Sequence, residues 1–160
     1  MTAEIIAVGT ELLLGETTNT DARFVAEKLS EMGISVYHHT VVGDNPERLR
    51  RVLEIACARA DIIVSIGGLG PTADDLTKET IASFFGKALY LDEASLSRIE
   101  AHFQKVGRTM TENNVKQAML PEGCTVFAND WGTAPGCAFY ARGRHVLMLP
   151  GPPSECEPMF

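Results

Sequence analysis

Ile62-Ile63-Val64-Ser65-Ile66 runs directly into Gly67-Gly68-Leu69-Gly70-Pro71-Thr72-Ala73-Asp74-Asp75. A continuous run of mostly β-branched residues suits a parallel strand covered on both faces, so it reads as a central strand. The glycine-rich turn leads into helical spacing near residues 76–85, stopped by Gly86. Upstream, residues 4–8 form an apolar run ending at Gly9. Phe24, Val25, Leu29 and Met32 then recur at helical spacing over residues 20–32, with Gly33 as the stop. A second strand is expected over 34–42, and a helix from Pro46 behind an Asn45 cap. This β-α-β-α-β-α order predicts an α/β fold, an open parallel sheet with helical crossovers on its faces.

Beyond Gly86 the spacing predicts a short strand at 88–91 and helices over 93–106 and 111–119. A strand at 124–127 should follow, then a hairpin of 136–140 with 145–149 across Arg142-Gly143-Arg144, so that the sheet is partly mixed. Ser154-Glu155-Cys156-Glu157 resembles the first turn of a helix. A single domain over 1–160, truncated at its C-terminal end, is expected.

The 160 residues, 45% hydrophobic and 22% charged, have the make-up of a globular domain that builds a core without disulfides or structural metal. A formal charge of −7 argues against nucleic acid as a partner, because gripping a phosphate backbone needs clustered Lys and Arg. No apolar run approaches the ~20 residues that span a bilayer, and the N-terminus lacks a basic segment followed by an apolar one. A cytoplasmic protein without membrane contact is expected. Cys57, Cys124, Cys137 and Cys156 are widely spaced and read as reduced packing thiols. His38-His39 lies in a strand-like run, which should leave one of the two exposed.

Ligands of open parallel sheets bind beyond the carboxyl ends of the strands. At the first exit, residues 9–21 make a polar connection longer than the roughly two to six residues usual between strand and helix, which makes Glu11 a candidate. The second exit, Val42-Gly43-Asp44-Asn45-Pro46, carries Asp44, which alone would read as a cap or turn residue. At the third, Gly67, Gly68 and Gly70 let the backbone approach an anion, and the following helix start offers unpaired N–H groups. No Gly-Lys-Ser/Thr closes this loop, and Asp74-Asp75 stands where a phosphate loop would place its lysine. Two carboxylates repel a phosphate unless a divalent cation lies between them, and Mg²⁺ binds through one or two carboxylates plus substrate phosphates. The pattern predicts a metal–phosphate site.

Asn114 and Gln117 share a helix face at i, i+3, with Lys116 pointing elsewhere, and their amides suit ribose hydroxyls or phosphate oxygens. Gly132-Thr133-Ala134-Pro135-Gly136 and Pro150-Gly151-Pro152-Pro153 are side-chain-poor loops suited to enclosing a nucleotide.

Five segments occur in order: Gly9-Thr10-Glu11-Leu12-Leu13; residues 67–72 with Asp75 and Thr77; Asn114 with Gln117; residues 132–136; and Leu149-Pro150-Gly151-Pro152-Pro153 with Glu155. Together they resemble the N-terminal domain of the competence/damage-inducible CinA family, within the wider MoaB/MogA group. That resemblance implies a three-layer α/β/α domain. In the wider group, acids after the second and third strands serve a Mg²⁺-dependent adenylyl-transfer site, and by motif position these match Asp44 and Asp75. The CinA resemblance implies metal-dependent hydrolysis of ADP-ribose to AMP and ribose 5-phosphate. It also implies homo-oligomers and, in many relatives, a C-terminal amidase domain of which nothing is present here. Asn129-Asp130-Trp131 departs from the Asn-Pro common in relatives.

The expected site therefore has Asp75 and Asp44, with Asp74 or Glu11, holding a divalent ion (Mg, Mn or Co), and Glu11 as a candidate base. The nucleotide and its phosphates would meet Gly67, Gly68, Leu69, Gly70, Thr72, Thr10, Asn114, Gln117, Thr133 and Gly151. Two rival readings stand beside hydrolysis: a catalytically silent pterin- or nucleotide-binding module, and a molybdopterin adenylyltransferase. Leu69 and Pro71-Thr72-Ala73-Asp74 look more like the CinA pattern than the MogA one.

Overall fold

β1 (Thr2–Val8) lies between β2 (Ser35–Val42) and β3 (Ile62–Ile66), parallel to both, in a computed structural model that describes residues 1–160. β8 (Arg144–Leu149) continues the parallel set beside β3, and the antiparallel β7 (Gly136–Ala141) and β6 (Thr125–Phe127) close the order β2-β1-β3-β8-β7-β6. The expected hairpin is present, with Arg142 and Gly143 both at positive φ in its turn.

Alternation along the strands sorts the core into two layers. Ile6, Val8 and Ile63 pack on one face with Leu49, Leu53 and Ala56 of α3 (Pro46–Arg59) and Ile81 of α4 (Thr77–Phe84). Ala3, Ile5, Ile62, Val64 and Ile66 pack on the other with Val25 and Leu29 of α2 (Thr20–Glu31) and Cys156 of α7 (Pro153–Met159). Helix starts follow the expected chemistry: the side-chain oxygen of Asn45 accepts from Arg48 N–H, and that of Asn19 from Ala22 N–H.

Glu4, read as part of an apolar run, is wholly buried. Arg59 donates to it twice, at 2.8 Å each, and the Thr40 hydroxyl once, also at 2.8 Å. Burial alone would raise its pKa, but these donors outweigh it and hold the carboxyl below its ordinary value. Glu4 thereby ties β1 to β2 and α3.

Three expectations change. The first exit is not a plain loop but holds a single turn, α1 (Thr10–Leu13). The helix expected over 111–119 is only α6 (Glu112–Val115); Lys116–Ala118 tightens into a 3-10 turn, and the chain then enters β5 (Met119–Pro121), which pairs antiparallel with β4 (Leu89–Leu91) in a separate two-stranded sheet. α5 (Glu93–Lys105) lies between these two strands in the chain, as expected. His38 and His39 are both exposed, because β2 is an edge strand. The thiols are all free, with Cys137 and Cys156 buried and Cys57 and Cys124 only partly so. No helix is long and apolar enough to cross a membrane.

Candidate functional site

Strand register gathers the exits. Val8 pairs with Val42, Ala7 with Ile66, and Ile66 with Leu149, so the chain leaves β1, β2, β3 and β8 at one edge of the sheet. Gly9 N–H donates to Val42 O and Gly67 N–H to Leu149 O, each at 3.0 Å, drawing neighbouring exits together. Between them opens a crevice of about 580 Å³ at the point where the strand order reverses.

Glu11, Asp44, Asp74 and Asp75 all line the crevice, and Glu155 of α7 adds a fifth carboxylate; no Lys, Arg or His lines it. Asp44 and Asp75 are held in matching ways. Thr10 donates its N–H and its Oγ1–H to Asp44 Oδ2, both at 2.9 Å. Thr72 donates its N–H at 2.9 Å and its Oγ1–H at 2.6 Å to Asp75 Oδ2. In each aspartate Oδ1 is left without a protein donor. Thr10 and Thr72, expected to contact a nucleotide, orient carboxylates; Thr72 lines the crevice and Thr10 lies outside its lining. No three His, Cys, Asp or Glu side chains are gathered closely enough to cage a metal by themselves. Two carboxylate oxygens free of protein donors, in a crevice without a cationic side chain, nevertheless suit a hard divalent ion that takes its remaining ligands from water and phosphate.

The glycine turn owes its sequence to close approach. Gly67 and Gly68 have φ of +98° and +69°; a Cβ at 67 would stand 2.3 Å from Val8 O, and one at 68 would stand 2.0 Å from Thr77 Oγ1. Gly67, Gly68, Leu69 and Gly70 line the crevice, as does Gly151 at the β8 exit. Leu69 is also a core residue, so it offers an apolar floor. At the start of α4 the Thr77 N–H is already committed to Gly68 O at 3.3 Å, and Thr77 lies outside the crevice.

On the far wall the amides form a chain. Thr111 donates to Asn114 Oδ1, Asn114 Nδ2 to Gln117 Oε1 at 3.3 Å, and Gln117 Nε2 to Thr133 Oγ1 at 2.9 Å. Asn114 and Gln117 do share a face, but only Gln117 and Thr133 reach the crevice; Asn114 supports them from behind. Because Thr133 Oγ1 accepts from Gln117, its own proton remains to be donated elsewhere.

Several contributors were missed. Asn129 Nδ2 bonds Ala134 O and Glu155 Oε2, while its Oδ1 accepts from Trp131 and Gly132 N–H; the side chain shapes the wall that Trp131 leaves, half-exposed, outside the crevice. Lys116 does not point away from the site: its Nζ bonds Thr72 O at 3.0 Å and Asp75 O. Lys78 Nζ, buried in α4, bonds Lys116 O at 3.0 Å and Gln117 O at 2.9 Å, and burial pushes its pKa down to about 8. Each of these contacts joins residues far apart in sequence, except the local turn at Asn129, and only Glu155 carried a motif signal.

Fold and crevice define a doubly wound α/β domain with an acid-lined crevice at its topological switch point. The chain belongs to the family described as "Probable molybdopterin binding domain", which matches residues 4–160. Competence-damage inducible proteins of Acetivibrio thermocellus and Bacillus anthracis are each 56% identical to it over all 160 residues, and the chain spans 39% of their length. A solved CinA protein of unknown function from Thermoplasma acidophilum is 38% identical, with a TM-score of 0.88 over 99% of this chain and 92% of that one. The molybdopterin biosynthesis enzyme MoaB of Thermus thermophilus is similar in fold alone, at 19% identity and a TM-score of 0.64 over 99% of this chain and 86% of that one.

Proposed function

We propose that this domain hydrolyses a nucleotide-linked pyrophosphate with the help of a divalent ion (Mg, Mn or Co), converting ADP-ribose and water to AMP and ribose 5-phosphate. One observation carries the reading: five carboxylates and no basic side chain line the crevice, beside a glycine turn suited to phosphate. A dianionic pyrophosphate entering such a site is repelled unless a cation accompanies it.

Asp44 and Asp75, each with one carboxylate oxygen free of protein donors, would hold the ion, with Asp74 close enough in sequence to add charge. When bound, the ion offsets phosphate charge and lowers the pKa of a coordinated water. Backbone N–H groups of residues 68–70, unlike that of Gly67, which is spent on Leu149 O, hold non-bridging phosphate oxygens, and fixed donors of this kind stabilise the charge that builds up during displacement. Thr133, its hydroxyl proton turned away from Gln117, and Gln117 itself bind sugar or phosphate oxygens. Glu11, whose carboxylate packs over Gly9 and makes no hydrogen bond within the protein, accepts the proton of the attacking water. The water oxygen bonds to one phosphorus as the bridging P–O bond breaks, and the second phosphate leaves with that electron pair.

The family description favours a second reading, a pterin-binding domain that transfers an adenylyl group or is catalytically silent. Purified protein is incubated with ADP-ribose, with and without Mg²⁺, Mn²⁺ or Co²⁺, and AMP is followed by chromatography. Metal-dependent AMP is the expected result. Its absence overturns the hydrolase reading, and AMP released from adenylylated molybdopterin with ADP-ribose untouched supports the transferase.

A further inference from the structure

Residues 71–75 form a loop between the glycine turn and α4, exposed at Thr72, Ala73 and Asp74, and this loop carries Asp74 and the half-buried Asp75. Its internal hydrogen bonds are local: Thr72 holds Asp75 Oδ2, and Asp75 N–H reaches Thr72 O at a long 3.3 Å. The only hydrogen bonds that reach it from elsewhere in the chain come from Lys116 Nζ, which donates to Thr72 O and Asp75 O, the two ends of the aspartate-holding turn. Lys116 also stands 3.7 Å from Glu79 Oε1 on α4, and Glu79 Oε2 is buried without a partner, which keeps the ammonium on this side of the wall. The backbone at Lys116 is fixed in turn, because buried Lys78 holds its carbonyl and that of Gln117.

We propose that Lys116, seated by Lys78, is the positioning residue of the site: it sets the distance between the free oxygen of Asp75 and the Gln117–Thr133 wall. The assignment rests on the cation-assisted reading above for its consequence, and on the hydrogen bonds alone for its geometry. Two walls of the crevice come from separate parts of the chain; Lys78 bonds the 116–117 wall to α4, and Lys116 is the side chain that bonds it to the aspartate loop itself. Without it the loop keeps its internal Thr72–Asp75 bonds but loses its register against Gln117. Water reaches the exposed carbonyls in place of the ammonium, so the fold itself loses little. A carboxylate left free to wander binds a cation more weakly, since the ordering cost then falls on binding.

The test compares Lys116→Met and Lys116→Arg with the parent chain by amide hydrogen exchange and by Mn²⁺ titration followed by electron paramagnetic resonance. Exchange at Thr72 and Asp75 should quicken about tenfold in Lys116→Met, while β3 and α3 amides stay unchanged. Mn²⁺ affinity should fall about tenfold and return in part with Lys116→Arg. Turnover of ADP-ribose at saturating Mn²⁺ should recover, because the defect lies in placing the ion. Unchanged exchange at residues 72–75 overturns the proposal, as does quickened exchange across β3 and α3, which would mark general unfolding. If the parent chain binds no Mn²⁺ while exchange still quickens locally, the positioning role stands and the cation-assisted reading falls.

Discussion

Asp44 and Asp75 present the same geometry to the crevice from opposite kinds of neighbourhood. At the β3 exit, Thr72 and Asp75 are three residues apart and form their bonds within one turn. At the β1 and β2 exits, Thr10 and Asp44 are 34 residues apart and meet because Val8 pairs with Val42. The first pair is a local motif that needs an outside tether, Lys116, to place it. The second is positioned by the sheet itself and needs none. A site can thus repeat one arrangement, a carboxylate with one oxygen committed to a threonine and the other free, by two unrelated routes.

If the two aspartates do the same work, Asp75→Asn and Asp44→Asn should each lower metal-dependent AMP formation at least about 100-fold without altering the far-ultraviolet circular dichroism. A large loss in only one variant breaks the equivalence, and full activity in Asp75→Asn removes the proposed mechanism.

Asp21 shows what an aspartate costs without such a threonine. Its Oδ1 is buried without a donor, and burial, reinforced by the charge of Glu157, pushes its pKa up to about 6 from an ordinary 3.8. The folded state then binds the proton more tightly than the unfolded chain, so stability falls as pH rises from 4 through 6 and the cost is complete above that window. Asp21→Asn should therefore gain about 2 kcal/mol at pH 8 in urea unfolding, with the gain gone by pH 4. A gain that is the same at both pH values would mean the charge is not its source.

Smaller effects separate the two threonines. Thr72→Val and Thr10→Val should each cost about tenfold in activity, since the backbone N–H still holds the carboxylate. In stability they should part. Thr10→Val loses a bond between two strand exits and should cost about 1 kcal/mol, whereas Thr72→Val, within an exposed turn, should cost less than about 0.5 kcal/mol. Equal stability losses would show that the β1–β2 contact does no more for the fold than the local turn.

The sequence revealed the acids more readily than their supports. Glu11, Asp44, Asp74 and Asp75 were legible because the α/β pattern says where strand exits lie, and each is the acid at such an exit. Asn114 with Gln117 was legible from i, i+3 spacing, although the helix that carries them stops at a 3-10 turn. That stop follows from β5 pairing with β4, two strands of three residues each whose main hydrogen-bonding partner is the other. Lys116 and Lys78 gave no signal, because a side chain that bonds a distant carbonyl leaves no periodic or motif trace; Asn129 stood out only for the departure at Asp130-Trp131, although its bonds to Trp131, Gly132 and Ala134 form one local turn. Glu4 was misread for the same reason: nothing local distinguishes a buried, doubly bonded carboxylate from a solvated one.

By itself the sequence determined the main strands and helices of the six-stranded sheet and their order, the Asn caps of two helices, and a set of acids at the strand exits, because periodicity, capping and turn chemistry act over a few residues. Only the tertiary structure decided which oxygen of Asp44 is free, that Thr10 is the residue that orients it, and that two lysines bind the walls of the crevice. Those outcomes depend on strand register and on contacts between residues 34 to 44 positions apart. Distances of that kind exist only once the sheet has closed.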